Sequence, residues 1–139
     1  MTTAKVSVDV NASADQMFSI LGDFAGFEAK FIVAKKITGS GIGCLRELTM
    51  ANGAKVVERC DNYDANSRTL TYSILGDDHP MPFKYYVATV IVTPAGANQC
   101  RIGWFCNFEV KSGTEEEAVK FITSGYTGMI KAAQKQLAA

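Results

Sequence analysis

Two charged residues stand where an alternating pattern calls for apolar ones, and any chemistry starts from them. In Gly43–Met50 the even positions Cys44, Leu48 and Met50 are apolar, against Glu47 and Thr49, yet Arg46 shares the apolar parity. In Ala54–Asn62, Val56 and Cys60 oppose Arg59 and Asp61, yet Glu58 shares the apolar parity. A charge on the inner face of a half-buried strand is very costly unless paired. The hairpin between the two strands decides the pairing. A two-residue Asn52–Gly53 turn sets Arg46 opposite Arg59 and Glu47 opposite Glu58, two like-charge pairs. A loop of Ala51, Asn52 and a left-handed Gly53 sets Arg46 opposite Glu58 and Leu48 opposite Val56, and this register is preferred. The pair is then either an internal salt bridge that satisfies itself or a polar spot that orients a ligand in an oily space.

Other candidates are single residues. Lys30, if it turns inward, has its pKa lowered by desolvation and can pair a carboxylate or do amine chemistry. Tyr72, Tyr86 and Trp104 are core aromatics whose polar ends need partners once buried. Leu48 and Ile74 share the inner faces of their strands and would wall the same space. His79, the sole histidine, lies among Asp77, Asp78 and Pro80, which reads as an exposed loop at a cavity mouth. Cys44, Cys60, Cys100 and Cys106 form no C-x-x-C pair and have no histidine at ligand spacing, so they read as buried thiols. No metal site and no cofactor is expected. A Ser–His–Asp set, a phosphate loop and a dinucleotide fingerprint are all missing, so no catalytic residue is assigned.

The elements that must position these residues follow from period and punctuation. Val6, Val8 and Val10 alternate as a first strand, and Ser13 with Gln16 forms a capping box that opens a short helix ending at Gly22. Asp23–Ala29 reads as a second short helical piece. The period then becomes two, with strands at Ile32–Thr38, Gly43–Met50, Ala54–Asn62, Arg68–Leu75, Tyr85–Thr93 and Gln99–Val110. Tyr85–Thr93 is apolar on both faces, so its inner face is not assigned. Thr114 and Glu117 make another capping box, starting a helix that runs to Leu137. Its stripe is Ala118, Phe121, Ile122, Gly125, Met129, Ala132, Ala133 and Leu137. Small residues in mid-stripe, with Gly128 beside them, imply a space of several hundred Å3 beneath the helix, as expected of a small-molecule cavity.

The whole chain, 1–139, reads as one domain: an α+β fold whose seven-stranded antiparallel curved sheet wraps a long C-terminal helix, with two short helices after the first strand. A formal net charge of zero without a basic run argues against nucleic acid. Neither a signal peptide nor an apolar run of membrane-spanning length is seen, so the cytoplasm is the expected compartment. A homodimer is compatible with this composition.

The series Gly41-Ile-Gly-Cys-Leu-Arg-Glu-Leu48, Val57-Glu-Arg59, Leu70-Thr-Tyr-Ser-Ile-Leu75 and Tyr86-Val-Ala-Thr89 resembles the START-like, SRPBCC superfamily. That group includes polyketide cyclases, the birch-pollen allergens and the abscisic-acid receptors, and the resemblance implies a helix-grip fold. Likeness to the abscisic-acid receptors implies that Lys30 stands for their ligand-contacting lysine, Glu58 for their pocket glutamate and Tyr86 for the tyrosine after their latch, with Asp78-His79-Pro80-Met81 as the latch. Their proline-bearing gate loop has no match, since Ala51-Asn-Gly-Ala54 stands there.

The leading reading is reversible binding of a hydrophobic small molecule, a lipid, polyketide or terpenoid-like compound, between sheet and helix. The ligand would contact Lys30, Arg46, Leu48, Glu58, Tyr72, Ile74, Tyr86, Trp104, Gly125 and Met129. The alternative is a cyclase/dehydratase-type enzyme, with Arg46, Tyr72 or Tyr86 stabilising an enolate and Glu58 or Lys30 moving protons. A third reading is an interaction module whose core is filled.

Overall fold

The computed structural model describes residues 1–138. Strand β1 (Thr2–Val10) leads into helix α1 (Ala14–Leu21), and six strands follow: β2 (Ile32–Thr38), β3 (Leu45–Met50), β4 (Lys55–Asp64), β5 (Thr69–Ile74), β6 (Phe83–Gly96) and β7 (Gln99–Val110). Helix α2 (Glu115–Ala138) closes the chain. The strands form one antiparallel sheet in the order β1-β7-β6-β5-β4-β3-β2. Because β1 and β2 lie at opposite edges, residues 11–31 must cross the inner face between them. Helix α2 packs on β1 and β7, and α1 packs on β6, β7 and α2.

Both capping boxes form. Ser13 Oγ accepts from the Gln16 amide at 3.1 Å while Gln16 Oε1 accepts from the Ser13 amide. Thr114 and Glu117 repeat the arrangement at the start of α2. Asp23–Ala29 is not a helix: one i→i+4 bond, from the Phe27 amide to the Asp23 carbonyl, closes a single turn. Nothing continues it, because the chain must extend to reach the far edge of the sheet.

The β3–β4 hairpin adopts the three-residue register. Gly53 has φ +86°, the left-handed value that a residue with a Cβ resists. Arg46 therefore faces Glu58, and Leu48 faces Val56. Two bulges reset parity elsewhere. In β4 the register slips between Cys60 and Asn62, so both Cys60 and Tyr63 reach the inner side, where Tyr63 stacks on Phe18 at 5.6 Å. In β6 it slips between Lys84 and Val87, with Tyr85 at φ +56°. An L-residue in that conformation costs about 1 kcal/mol. The result is that Phe83 and Tyr86, of opposite parity, are both buried. From Tyr86 on, the inner face of β6 is Tyr86, Ala88, Val90 and Val92.

The buried row of α2 is Ala118, Ile122, Tyr126, Ile130 and Ala133. The apolar-only reading of the sequence places the row one position off after Ile122, choosing Gly125 and Met129. It passes over both Tyr126 and Ile130. Phe121 is consequently 53% exposed, at the helix edge. The ring of Tyr126 stacks on that of Trp104 at 4.6 Å and 10°, so aromatic side chains fill space that the small residues of the stripe had suggested would be open. Hollows of 560 Å3 along Glu115–Thr123 and 340 Å3 between Val10, Gln16 and Leu137 touch none of the ten residues expected to contact a ligand.

A Cβ added at Gly125 or Gly128 would meet nothing within 4 Å. Gly125→Ala and Gly128→Ala should therefore each stabilise the protein by up to about 1 kcal/mol, the helix-propensity difference. The expected result is a higher urea midpoint at unchanged m-value.

Candidate functional site

The inner face of the sheet carries two polar groups inside an aromatic lining. The first is the charged pair. Arg46 Nε donates to Glu58 Oε1 at 2.6 Å, and Arg46 Nη1 donates to the Phe24 carbonyl at 2.9 Å. Both residues are buried. The guanidinium carbon lies 4.0 Å from the Phe24 ring centroid and 5.2 Å from that of Tyr72, so cation–π attraction adds to the ion pair. Ile74 stands beside Glu58 on the next strand, and Leu48 is buried two residues from Arg46.

Lys30, expected beside this pair, is exposed on the crossing segment. The lysine that turns inward is Lys35. It pairs with Leu48 across the β2–β3 ladder and so shares the inner face, and its Nζ donates to the Phe27 carbonyl at 3.3 Å. The sequence reading passed over it because β2 is only half-buried and its alternation is weak. Strand register, not composition, identifies it.

The second polar group is a cluster of hydroxyls. Trp104 Nε1 donates to Tyr72 Oη at 3.2 Å, Tyr72 Oη and Tyr86 Oη lie 3.4 Å apart, and Tyr86 Oη bonds Tyr126 Oη. An indole N–H can only donate, so Tyr72 must direct its own proton onward. Burial pushes the Tyr72, Tyr86 and Tyr126 phenols well above the usual range, and the Glu58 carboxylate raises Tyr72 further. These groups are neutral hydrogen-bond donors at physiological pH and cannot serve as bases. Burial likewise raises the Cys60 and Cys106 thiols, which are free and unreactive there.

His79 is buried rather than exposed, with its ring 6.3 Å from that of Phe83. Lys111 clamps its loop by donating to the carbonyls of Asp77 and His79. His79 Nδ1 accepts from the Met81 amide at 3.3 Å, which places the imidazole proton on Nε2, a buried atom without a partner. Burial, then the charge of Lys111, holds its pKa below the ordinary value against opposing pulls from Asp77, Asp78 and the Gly76 backbone.

The rim is aromatic. Phe83 contacts Tyr86 at 5.1 Å, Phe108 at 5.7 Å and Phe121 of α2 at 6.2 Å. Gly125 is partly exposed one turn beyond Phe121, and Met129 packs against the core a turn further on. The structure thus brings together Arg46, Leu48, Glu58, Tyr72, Ile74, Tyr86 and Trp104, places Gly125 and Met129 along one helix edge, and leaves Lys30 outside. Tyr126, Lys35 and Phe24 join the site. No cluster of histidine, cysteine, aspartate or glutamate suited to a metal ion occurs among the described residues.

A curved antiparallel sheet gripping a long helix over a lined interior defines a helix-grip ligand-binding domain. The chain belongs to the polyketide cyclase/dehydrase and lipid transport family, whose model matches residues 1–139. Among solved structures it is similar to the protein XoxI of Bacillus cereus, with TM-score 0.86 and 25% identity over 98% of this chain and 95% of that one. An uncharacterised protein of Bacillus thuringiensis gives TM-score 0.87 at 24% identity, over 99% and 100% of the two chains. Norcoclaurine synthase of Thalictrum flavum, solved with dopamine and hydroxybenzaldehyde, shares the fold with TM-score 0.74 at 20% identity, over 99% of this chain and 86% of that one. No curated protein matches the chain in sequence. No helix among the described residues is long and apolar enough to cross a membrane.

Two outcomes follow from the site. Glu58→Ala leaves the Arg46 guanidinium buried and uncompensated and should cost about 3–5 kcal/mol, whereas Arg46→Met combined with Glu58→Leu should be close to neutral. Urea unfolding of both variants checks this. Because the native pKa of His79 lies below its unfolded value, its contribution is present above about pH 6.5 and is lost as pH falls through the native pKa. Unfolding curves at pH 7.5 and 5.5 should show that decline, and His79→Gln should flatten it.

Proposed function

We propose that the protein reversibly binds a hydrophobic small molecule, with an apolar body and one oxygenated head, in the interior between the sheet and α2. The observation that carries this reading is the convergence of the Arg46–Glu58 pair and three tyrosine hydroxyls inside a lining of Phe24, Ile74, Phe83 and Trp104. A few polar groups set in an apolar lining orient a ligand, while its body gains about 25 cal/mol per Å2 of apolar surface buried. Entry runs along the edge of α2 past Phe121, Gly125 and Met129, where Gly125 leaves open space. Here the aromatic side chains close the interior on themselves, so a ligand enters by selecting conformers in which Phe24, Phe83 or Tyr126 has swung aside. Lipids, polyketides and terpenoid-like compounds all fit that description, and a cytosolic carrier or ligand sensor is the role it suits.

The family description also names cyclases and dehydrases. An enzyme of that kind would use Tyr72 and Tyr86 as donors to an enolate and a separate group to move the proton. The arrangement favours binding over turnover because Glu58 is engaged by Arg46 and the phenols stay protonated.

Titration with an apolar fluorescent probe tests the reading. Wild type should bind with Kd of about 1 μM, equivalent to roughly 8 kcal/mol. Gly125→Trp, which fills the entry edge, should weaken uptake while the unfolding midpoint stays near the wild-type value. An absence of saturable binding overturns the proposal. Turnover of a poly-ketone that is lost on Tyr86→Phe while binding persists would place the enzyme reading first.

A further inference from the structure

The charge balance at the crossing segment carries a more specific statement, which rests on the binding reading above. We infer that the ligand head is a carboxylate, held between Lys35 and Arg46 where the backbone carbonyls of Phe24 and Phe27 now stand. The two cations reach the same turn: Arg46 Nη1 donates to the Phe24 carbonyl and Lys35 Nζ to the Phe27 carbonyl. Both face inward by register, since Ile37 pairs with Arg46 and Lys35 pairs with Leu48 on adjacent inner rows. Glu58 is the single carboxylate in salt-bridge contact with Arg46, and none among the described residues contacts Lys35. Two cations and one anion leave one positive charge at the inner end of the site.

The carboxylates nearby do not reach the two cations. Asp23 Oδ1 accepts from the Gly26 amide at 3.0 Å, and Glu47 stands opposite Lys36 in the ladder, on the outer face. A neutral carbonyl is a weaker acceptor for an ammonium or a guanidinium than a carboxylate, because charge-assisted bonds are about twice as strong. Arg46 spends two of its five N–H donors on Glu58 and Phe24, which leaves donors for a second acceptor. A planar carboxylate offers two oxygens, one for each cation. It also cancels the excess charge, whereas a phosphate dianion would overshoot it.

Capture of the head has a structural consequence. Beyond the two cation contacts, the ends of residues 22–31 are tied by the Gly22, Asp23 and Phe24 amides to the Phe18, Ile20 and Gly22 carbonyls and by the Ile32 and Ala51 amides to the Ala29 and Phe31 carbonyls. The turn between them is closed only by the Phe27 and Gly26 amides on Asp23. When a carboxylate takes Lys35 and Arg46, the Phe24 and Phe27 carbonyls are released and the turn loosens over the site. The segment then acts as a flap that the head group unlatches, and the Phe24 ring moves off the guanidinium with it.

Dodecanoic acid and its methyl ester, titrated against the intact protein at pH 7.5, test the assignment, since the two share the apolar body and differ in head charge. Wild type should prefer the acid by roughly tenfold, the usual weight of a hydrogen bond to a charged partner. Lys35→Met should lower the acid-to-ester affinity ratio about tenfold and Lys35→Arg should keep it. Amide exchange in residues 24–31 should quicken with acid bound and less with ester. Equal affinities for acid and ester in wild type, or a ratio untouched by Lys35→Met, overturn the carboxylate assignment and leave the binding proposal standing. Failure of both compounds to bind overturns both.

Discussion

The ion pair between Arg46 and Glu58 is the constraint on which the rest of the interior depends. It fixes the β3–β4 register, because a slip of one residue would put Arg46 and Glu58 on opposite faces and set Arg46 against Arg59 and Glu47 against Glu58. It also anchors the crossing segment, since the same guanidinium holds the Phe24 carbonyl and ring. Through its second ring contact it reaches Tyr72, the first member of the hydroxyl cluster. One buried cation therefore joins a hairpin, a turn and the aromatic interior. Replacing such a pair by apolar residues often costs little stability. What Arg46 and Glu58 add is a single permitted arrangement of three segments, together with unused donors facing the inside.

The bulges do the complementary work. A strict two-residue period would put Phe83 and Tyr86 on opposite faces of β6, and Cys60 and Tyr63 on opposite faces of β4. Each slip inserts one residue and recovers an inward aromatic. The left-handed backbone at Tyr85 is the cost of the β6 slip, and what it gains is the contact series Phe121, Phe83, Tyr86 and Tyr72 from rim to interior. Backbone strain of this kind persists only where the surroundings impose it. Here burial of two large rings on either side of an exposed residue imposes it.

Much of this was legible in the sequence, and the parts that were not have a common cause. Strand alternation, both capping boxes and the Gly53 loop rest on local chemistry, and they carried the order of elements and the Arg46–Glu58 contact, while the family resemblance rested on the ordered motifs between Gly41 and Thr89. Tyr126 and Ile130 were missed because the stripe was drawn through the small residues Gly125 and Ala132, whereas the packing of the Tyr126 ring flat on Trp104 sets the buried row. Lys35 was missed and Lys30 chosen because the inward side of an edge strand with little alternation depends on its neighbour's register. His79 was expected outside because its neighbours in the chain are charged, whereas its burial comes from Phe83 and a lysine 32 residues away. Each miss concerns a contact between segments distant in the chain, which neither composition nor period encodes.

The closed interior also decides where binding energy would come from. The three phenols and the indole already bond one another, so a ligand oxygen that joins them replaces a bond rather than adding one. A net gain of about 1 kcal/mol per hydrogen bond holds only for groups that would otherwise be solvated or unpaired. On the binding proposal, the hydroxyl cluster would tolerate many heads and select strongly for none. Selectivity would then come from groups whose present partners are poor substitutes, and the two cations resting on backbone carbonyls are the groups of that kind. Affinity would follow the apolar area that the ligand body covers once the rings part, while head-group choice would follow charge at the crossing segment. On that proposal the two halves of the site would divide strength from specificity.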